Sequence, residues 1–205
     1  MNEVQTAKIV TPQWAWSAVQ EFVRDEGLKR HMLAVGAAMA WYASRLGEDA
    51  QYWRSVGILH DFDWEIHPDL DRHPIKGAEI LRERGVDEET IRSILSHYEE
   101  GTGVAREKAI DYALLACDDI TGMITAVTLV RPSHDIADVT VKSVRKKWKD
   151  RRFAGGVNRE HVESAVADFS HVCFDGNLDL WQHVANVLEA MQGEAAALSL
   201  DGTGQ

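Results

Sequence analysis

Two cysteines in 205 residues, Cys117 and Cys173, form no Cys-x-x-Cys pair and no disulfide framework. That excludes a zinc finger and fits a reducing compartment. Basic charge is short as well: 22 Lys and Arg stand against 33 Asp and Glu, a net charge of −11. So acidic a chain is not built to wrap nucleic acid. No long hydrophobic run occurs. The most apolar stretch, 120–130, is too short for a bilayer and holds three threonines. The N-terminus, Met1-Asn2-Glu3-Val4, lacks the basic and apolar segments of a leader peptide. These absences point to a cytoplasmic protein without a membrane partner, and they leave the oligomeric state open.

What is present is helical. With 45 % hydrophobic and 27 % charged residues, the chain is long enough for one domain with a substantial core. Thr11-Pro12 opens a helix that runs to Gly27. A second spans 28–46 and stops at Gly47; His31, Val35, Met39 and Tyr42 share its apolar face. A third covers 50–60. Residues 61–72 read as irregular, and helices follow from about His73 to Gly85 and over 87–98. Residues 99–103 read as a loop. A long helix occupies 106–130, before Pro132. Helices over 138–148, 158–169 (capped by Asn158) and 178–191 complete the chain. No repeat and no convincing strand is visible, so the class is all-α. The reading is a single domain over 1–192, with a chemistry-bearing core at 28–130, a helical extension at 131–192 and a flexible tail at 193–205.

The chemistry sits in scattered histidines and aspartates. His60-Asp61 ends the apolar run Val56-Gly57-Ile58-Leu59. His31 lies on a buried helix face, His73 opens a helix, His97 closes one, and Asp118 stands among Leu114, Leu115, Cys117 and Ile120. A buried carboxylate is costly unless paired or metal-bound. One histidine on an apolar face is more often a core residue than a ligand, and His97 alone suits a helix C-terminus. All six together suit a metal site built between helices. Imidazole and carboxylate without thiolate favour Mn, Fe, Ni, Co or Zn over Mg. Four neutral imidazoles and two carboxylates around two divalent ions leave a charge of about +2, enough to draw phosphate. Two ions roughly 3.5–4 Å apart activate a water and clamp phosphoryl oxygens. Asp119, adjacent to Asp118, competes with it as ligand on helical phase. His134-Asp135 reads as coincidence, and His67, His161, His171 and His183 as surface or capping residues. The tryptophans read as core. The seven basic side chains of 142–152 read as a solvated face, with an anion-binding rim as the functional alternative.

The order His31, His60-Asp61, His73, His97, Asp118 resembles the dinuclear branch of the HD-domain superfamily of metal-dependent phosphohydrolases. Lys29-Arg30-His31-Met32, Leu59-His60-Asp61, Ser96-His97-Tyr98 and Ala116-Cys117-Asp118-Asp119 carry the likeness. The segment from His73 through Gly77-Ala78 is similar to that of HD hydrolases that cleave symmetrical dinucleoside tetraphosphates. Asp119-Ile120-Thr121-Gly122, Leu129-Val130-Arg131-Pro132 and Phe153 to Arg159 extend the likeness to a group of bacterial HD hydrolases of this length. The resemblance implies an HD-domain helical bundle with extra C-terminal helices. It implies one ion on His31, His60, Asp61 and Asp118, with Asp61 bridging to a second completed by His73 and His97, and it favours Asp118 over Asp119. Tyr98 follows His97 and no Gly-Tyr-Pro occurs, so cyclic-dinucleotide phosphodiesterase activity is not supported.

The function expected is hydrolysis of a phosphoester or phosphoanhydride of a small phosphorylated metabolite, a nucleotide, by metal-bound hydroxide. His60 and Asp61 are its centre, and Lys76 and Arg131 are candidate phosphate contacts. The rivals are a di-iron oxygenase built on the same six side chains, a mononuclear nucleotidase, and a non-catalytic nucleotide-binding module.

Overall fold

Local capping chemistry divides the chain into helices, described for residues 10–203 in a computed structural model. The Thr11 hydroxyl accepts the Trp14 N–H at 3.3 Å and Pro12 enters the first turn of α1 (Pro12–Phe22). The helix stops short of the expected Gly27. The N–H groups of Arg24 and Asp25 instead donate to Glu65 Oε2 at 2.8 and 2.9 Å. Asp25 then caps α2 (Glu26–Leu46), which ends at Gly47 in the left-handed region, φ 76°. Asp49 caps α3 (Ala50–Leu59). After an irregular stretch come α4 (Ile75–Glu83) and α5 (Glu88–Ser96). The expected loop at 99–103 contains one helical turn, α6 (Glu99–Thr102). The 21-residue α7 (Ala109–Leu129) follows.

The last third departs from expectation in detail. The helix read over 138–148 is a 3₁₀ turn, Ile136–Asp138, followed by α8 (Val141–Trp148), because the Thr140 hydroxyl takes the Ser143 N–H and restarts the helix. Asp135 caps the 3₁₀ turn. The next helix, α9 (Arg159–Phe174), outruns 169 and stops at Asp175, φ 50°. Last comes α10 (Leu180–Gly193). The tail does not fray over its described residues: Leu198 and Leu200 are buried, and the Ile136 N–H donates to Leu200 O at 2.7 Å. No strand occurs among the described residues, only an isolated bridge between Asp135 and Asp201. The fold is all-α.

Helix α7 is the centre of the packing, against α2, α8, α9 and α10. It is long and apolar enough to cross a membrane by length and composition, and 61 % of its most apolar 18 residues are buried within the fold. Trp53 and Trp148 are core residues, whereas Trp14, Trp16, Trp41 and Trp181 only flank the core. Two glycines let α2 and α3 touch backbone to backbone. A Cβ on Gly57 would lie 2.8 Å from Gly36 Cα. That close approach brings the end of α3, with His60, against the start of α2, with His31. Gly57→Ala should therefore destabilise the fold by about 1–3 kcal/mol in urea unfolding. A loss under about 0.5 kcal/mol would show that the crossing has slack.

His183, read as a surface or capping residue, is buried. Its Nε2–H donates to Ala116 O at 2.9 Å, and its Nδ1 accepts the Tyr42 hydroxyl at 2.7 Å. Burial pushes its pKa down to about 4. An unfolded chain binds this proton near the ordinary value of about 6.5, so stability is complete above that pH and lost as pH falls towards 4. The gap is worth about 3 kcal/mol. The stability difference between the wild type and His183→Gln should narrow by about 2–3 kcal/mol from pH 7 to 4.5; parallel urea profiles would refute it.

Candidate metal centre

Four helix ends and one helix interior converge. His31 comes from the second turn of α2, His60 caps α3 and Asp61 follows it. His73 precedes α4, His97 caps α5, and Asp118 lies within α7. All six side chains anticipated from the sequence meet here in two groups, His31 with His60 and Asp118, and Asp61 with His73 and His97.

The imidazoles are oriented from behind. His60 Nδ1 bonds Gly57 O at 2.8 Å, His97 Nδ1 bonds Ile94 O, and His73 Nδ1 bonds Asp63 Oδ1 at 2.8 Å. His31 Nδ1 lies 3.4 Å from the Thr121 hydroxyl, which donates to Asp118 O at 2.7 Å. Each Nδ1 is thus the protonated donor, and each Nε2 faces inward with its lone pair. His31 Nε2 and His60 Nε2 stand 3.2 Å apart, as do His73 Nε2 and His97 Nε2. Facing lone pairs repel unless a cation lies between them. Two nitrogens each about 2.0–2.1 Å from one ion sit at about this separation.

Asp61 divides its carboxylate between the pairs. Oδ2 is 3.7 Å from His31 and 3.4 Å from His60, whereas Oδ1 is 3.3 Å from His73 and 3.7 Å from His97. Asp118 Oδ1 lies 3.0 Å from His31 Nε2 and 3.5 Å from His60 Nε2. The charges respond accordingly. Burial disfavours the charged form of His60, yet Asp61 and Asp118 raise its pKa well above the ordinary value. Burial is likewise outweighed at His73, which Asp61 and Asp63 raise to about 9. Burial opposes ionisation of Asp61 and Asp118 too, but the surrounding imidazoles hold both well below the usual carboxylate range. His97 is lowered by burial. The donor set fits a divalent cation.

A cleft of about 500 Å³ opens onto these groups, walled also by Trp64, Leu70, Tyr98, Asp119 and Gly156. Asp119 is therefore at the site without joining the ligand groups. Burial and the Asp118 charge push its carboxyl up to about 6, and His161, expected to be a bystander, lies 3.9 Å from it. Lys76 and Arg131 do not line the cleft. The Lys76 ammonium is exposed and paired with Glu79 at 2.7 Å, and Arg131 lies beyond the end of α7.

Asp63 escaped the sequence reading. It is fully buried, bonds His73 and accepts the Gly77 N–H at 2.9 Å. A Cβ on Gly77 would lie 2.5 Å from the Asp63 carboxyl carbon, which gives the glycine after His73 its physical reason. The only signal was its place two residues after Asp61.

The HD domain family model matches residues 28–127. That part of the chain belongs to the HD-domain family. All six converging side chains, and Asp63 with them, fall inside the HD domain. The chain is also similar to proteins named ribonuclease Y. The match to that of Thermotoga petrophila is 34 % identical over 76 residues, covering 37 % of this chain and 15 % of the relative. Those to Thermosipho melanesiensis and Oleidesulfovibrio alaskensis are 29 % identical over 86 residues and 24 % over 99, covering 42 % and 48 % of this chain. The chain spans 17 % and 18 % of those two relatives' lengths. No solved structure matches. The HD domain match and the two His/Asp groups are compatible with divalent-metal binding.

Asp63→Ala should weaken metal binding about 10–100-fold by freeing His73 from its orienting carboxylate. Gly77→Ala should do the same by displacing Asp63. Metal titration checks both, and unchanged affinity in Asp63→Ala would remove Asp63 from the design.

Proposed function

We propose that this protein hydrolyses a phosphoester or phosphoanhydride bond of a small phosphorylated metabolite, a nucleotide, at a centre for two divalent transition-metal ions. The observation that carries the reading is the carboxylate of Asp61, whose two oxygens face two separate imidazole pairs. His31, His60 and Asp118 would hold one ion, His73 and His97 the other, and Asp61 both. Such ions, when bound, supply Lewis-acid activation of water and of phosphoryl oxygens. The chain's own contribution is orientation: Gly57 O, Ile94 O and Asp63 fix the tautomers that aim Nε2 inward. Trp64, Leu70 and Tyr98 wall the cleft and limit water around the reacting group. Its volume of about 500 Å³ suits a small ligand.

A specific observation supports a second substrate class. The relatives are named ribonucleases, which does not fit the expectation that nucleic acid plays no part. RNA phosphodiesters therefore belong in the same test. Purified protein assayed for metal content should contain Mn, Fe, Ni, Co or Zn and release phosphate or nucleotide from mono- and polyphosphorylated nucleosides. Cleavage of single-stranded RNA oligomers in place of nucleotides would move the substrate to RNA. Oxygen consumption by an iron-loaded protein without hydrolysis would replace the reading with the oxygenase. Asp61→Ala should abolish metal retention and turnover, well beyond the about 10–100-fold of an outer-shell change. Full activity in that variant would refute the assignment.

A further inference from the structure

A second and larger recess adjoins the metal cleft. It encloses about 650 Å³ and shares two wall residues with the cleft, His31 and Trp64. The rest of its wall is mainly apolar: Leu28 from α2, Pro68 from the irregular stretch, and Gly122 and Ala126 from α7. Asp25 and Glu65 line it too, and no Lys or Arg does. Anionic groups are thus disfavoured here, in contrast to the adjoining centre.

Two features of α7 bear on an occupant. Gly122 lies inside a 21-residue helix, where glycine is a poor helix former, and a Cβ added to it would meet nothing within 4 Å. No neighbouring protein group requires a glycine there; the space beside it is the recess. One turn on, the Thr125 hydroxyl is buried and has no hydrogen-bond partner among the described residues, although Thr125 lines the same recess. An unpaired buried hydroxyl is unfavourable, and rotation about its Cα–Cβ bond would offer it to an occupant. Trp64, standing between the two recesses, presents an aromatic wall to both.

We propose that this recess is the specificity subsite for the organic part of the substrate: a flat, uncharged group such as a nucleoside, entered while its phosphate lies at the metal centre. The proposal rests on the phosphohydrolase reading above and narrows it. Because carboxylates line the far recess, the substrate carries phosphate on one side of the nucleoside only. A nucleotide bearing phosphate on both sides, as within an RNA chain, is the poorer fit.

The test separates the subsite from the chemistry. An unphosphorylated nucleoside, adenosine, is titrated into the full-length protein with and without Mn²⁺ and followed by saturation-transfer NMR. Binding is expected in both conditions. Gly122→Leu fills the recess near the metal cleft, and Ala126→Phe fills it one turn further from Asp118. Each should weaken adenosine binding at least tenfold while metal content and the unfolding midpoint hold. In each, the ratio of kcat/KM for ATP to that for inorganic tripolyphosphate should also fall at least tenfold. Adenosine binding without turnover of any phosphate compound would overturn the hydrolase reading and leave the subsite standing. No adenosine binding, or binding unaltered in both filled variants, would overturn the subsite even if hydrolysis is found.

Discussion

One carboxylate between two pairs of imidazoles is the constraint on which the rest depends. Asp61 places Oδ2 towards His31 and His60, and Oδ1 towards His73 and His97. Within each pair the nitrogens stand 3.2 Å apart with their protons committed on the far side. Without positive charge that arrangement is repulsive, and neutral hydrogen bonding cannot satisfy it. Protons answer the demand in part, as the raised pKa values of His60 and His73 indicate. Divalent cations would answer it fully, because each imidazole pair with a carboxylate oxygen of Asp61 offers donors that suit one ion.

The scaffold holds this unfavourable cluster through contacts made of very small groups. Gly36 and Gly57 let α2 and α3 approach until a single methyl would collide. Gly77 leaves room for the Asp63 carboxylate, which orients His73 from behind. Neither device is a bond to metal, yet both decide where the imidazoles point. Interiors packed at crystal density transmit such shifts rather than absorb them. Remote methyl groups should therefore lower metal affinity as well, by less than changes of the six converging side chains.

Five of the six converging side chains were legible in the sequence because they interrupt or close an apolar helical pattern where polarity is costly, whereas His73, which follows Asp71-Arg72, was legible through its place in the family-like order. Asp118 among Leu114, Leu115 and Ile120 is the clearest case. Asp63 was illegible for the opposite reason. It sits near Asp69 and Asp71 in an irregular stretch, where aspartate is ordinary, and only the return of the chain at Gly77 buries it. The tail misled in the same way. Its alanines and polar residues read as frayed, but Leu198 and Leu200 fill the core and Arg30 Nε donates to Leu198 O at 2.8 Å. His183 carried no pattern to distinguish a core histidine from a surface one. Periodicity reports which face of an element is apolar; it does not report which distant element arrives to cover it.

Electrostatics weigh on substrate size. Two divalent ions, as proposed, would bring four positive charges, which Asp61, Asp118 and Asp63 would reduce to one, and Asp119 also faces the cleft. The centre is thus close to neutral within a chain of net charge −11. Attraction for phosphate is then a contact effect, confined to the cleft and screened within about 8–10 Å. On the proposed reading, a long polyanion would carry an added electrostatic cost against a chain of net charge −11. The basic residues Lys142, Arg145, Lys146 and Lys149 line a recess of their own on α8 rather than the cleft. A small phosphorylated molecule meets the opposite situation. It would enter a cleft of about 500 Å³ that no Lys or Arg lines, and it would present little charge to the rest of the surface. The chain's acidity would thus weigh, on that reading, against a polymer and for a compact ligand whose phosphate would reach the ions while its uncharged part stays beside Trp64.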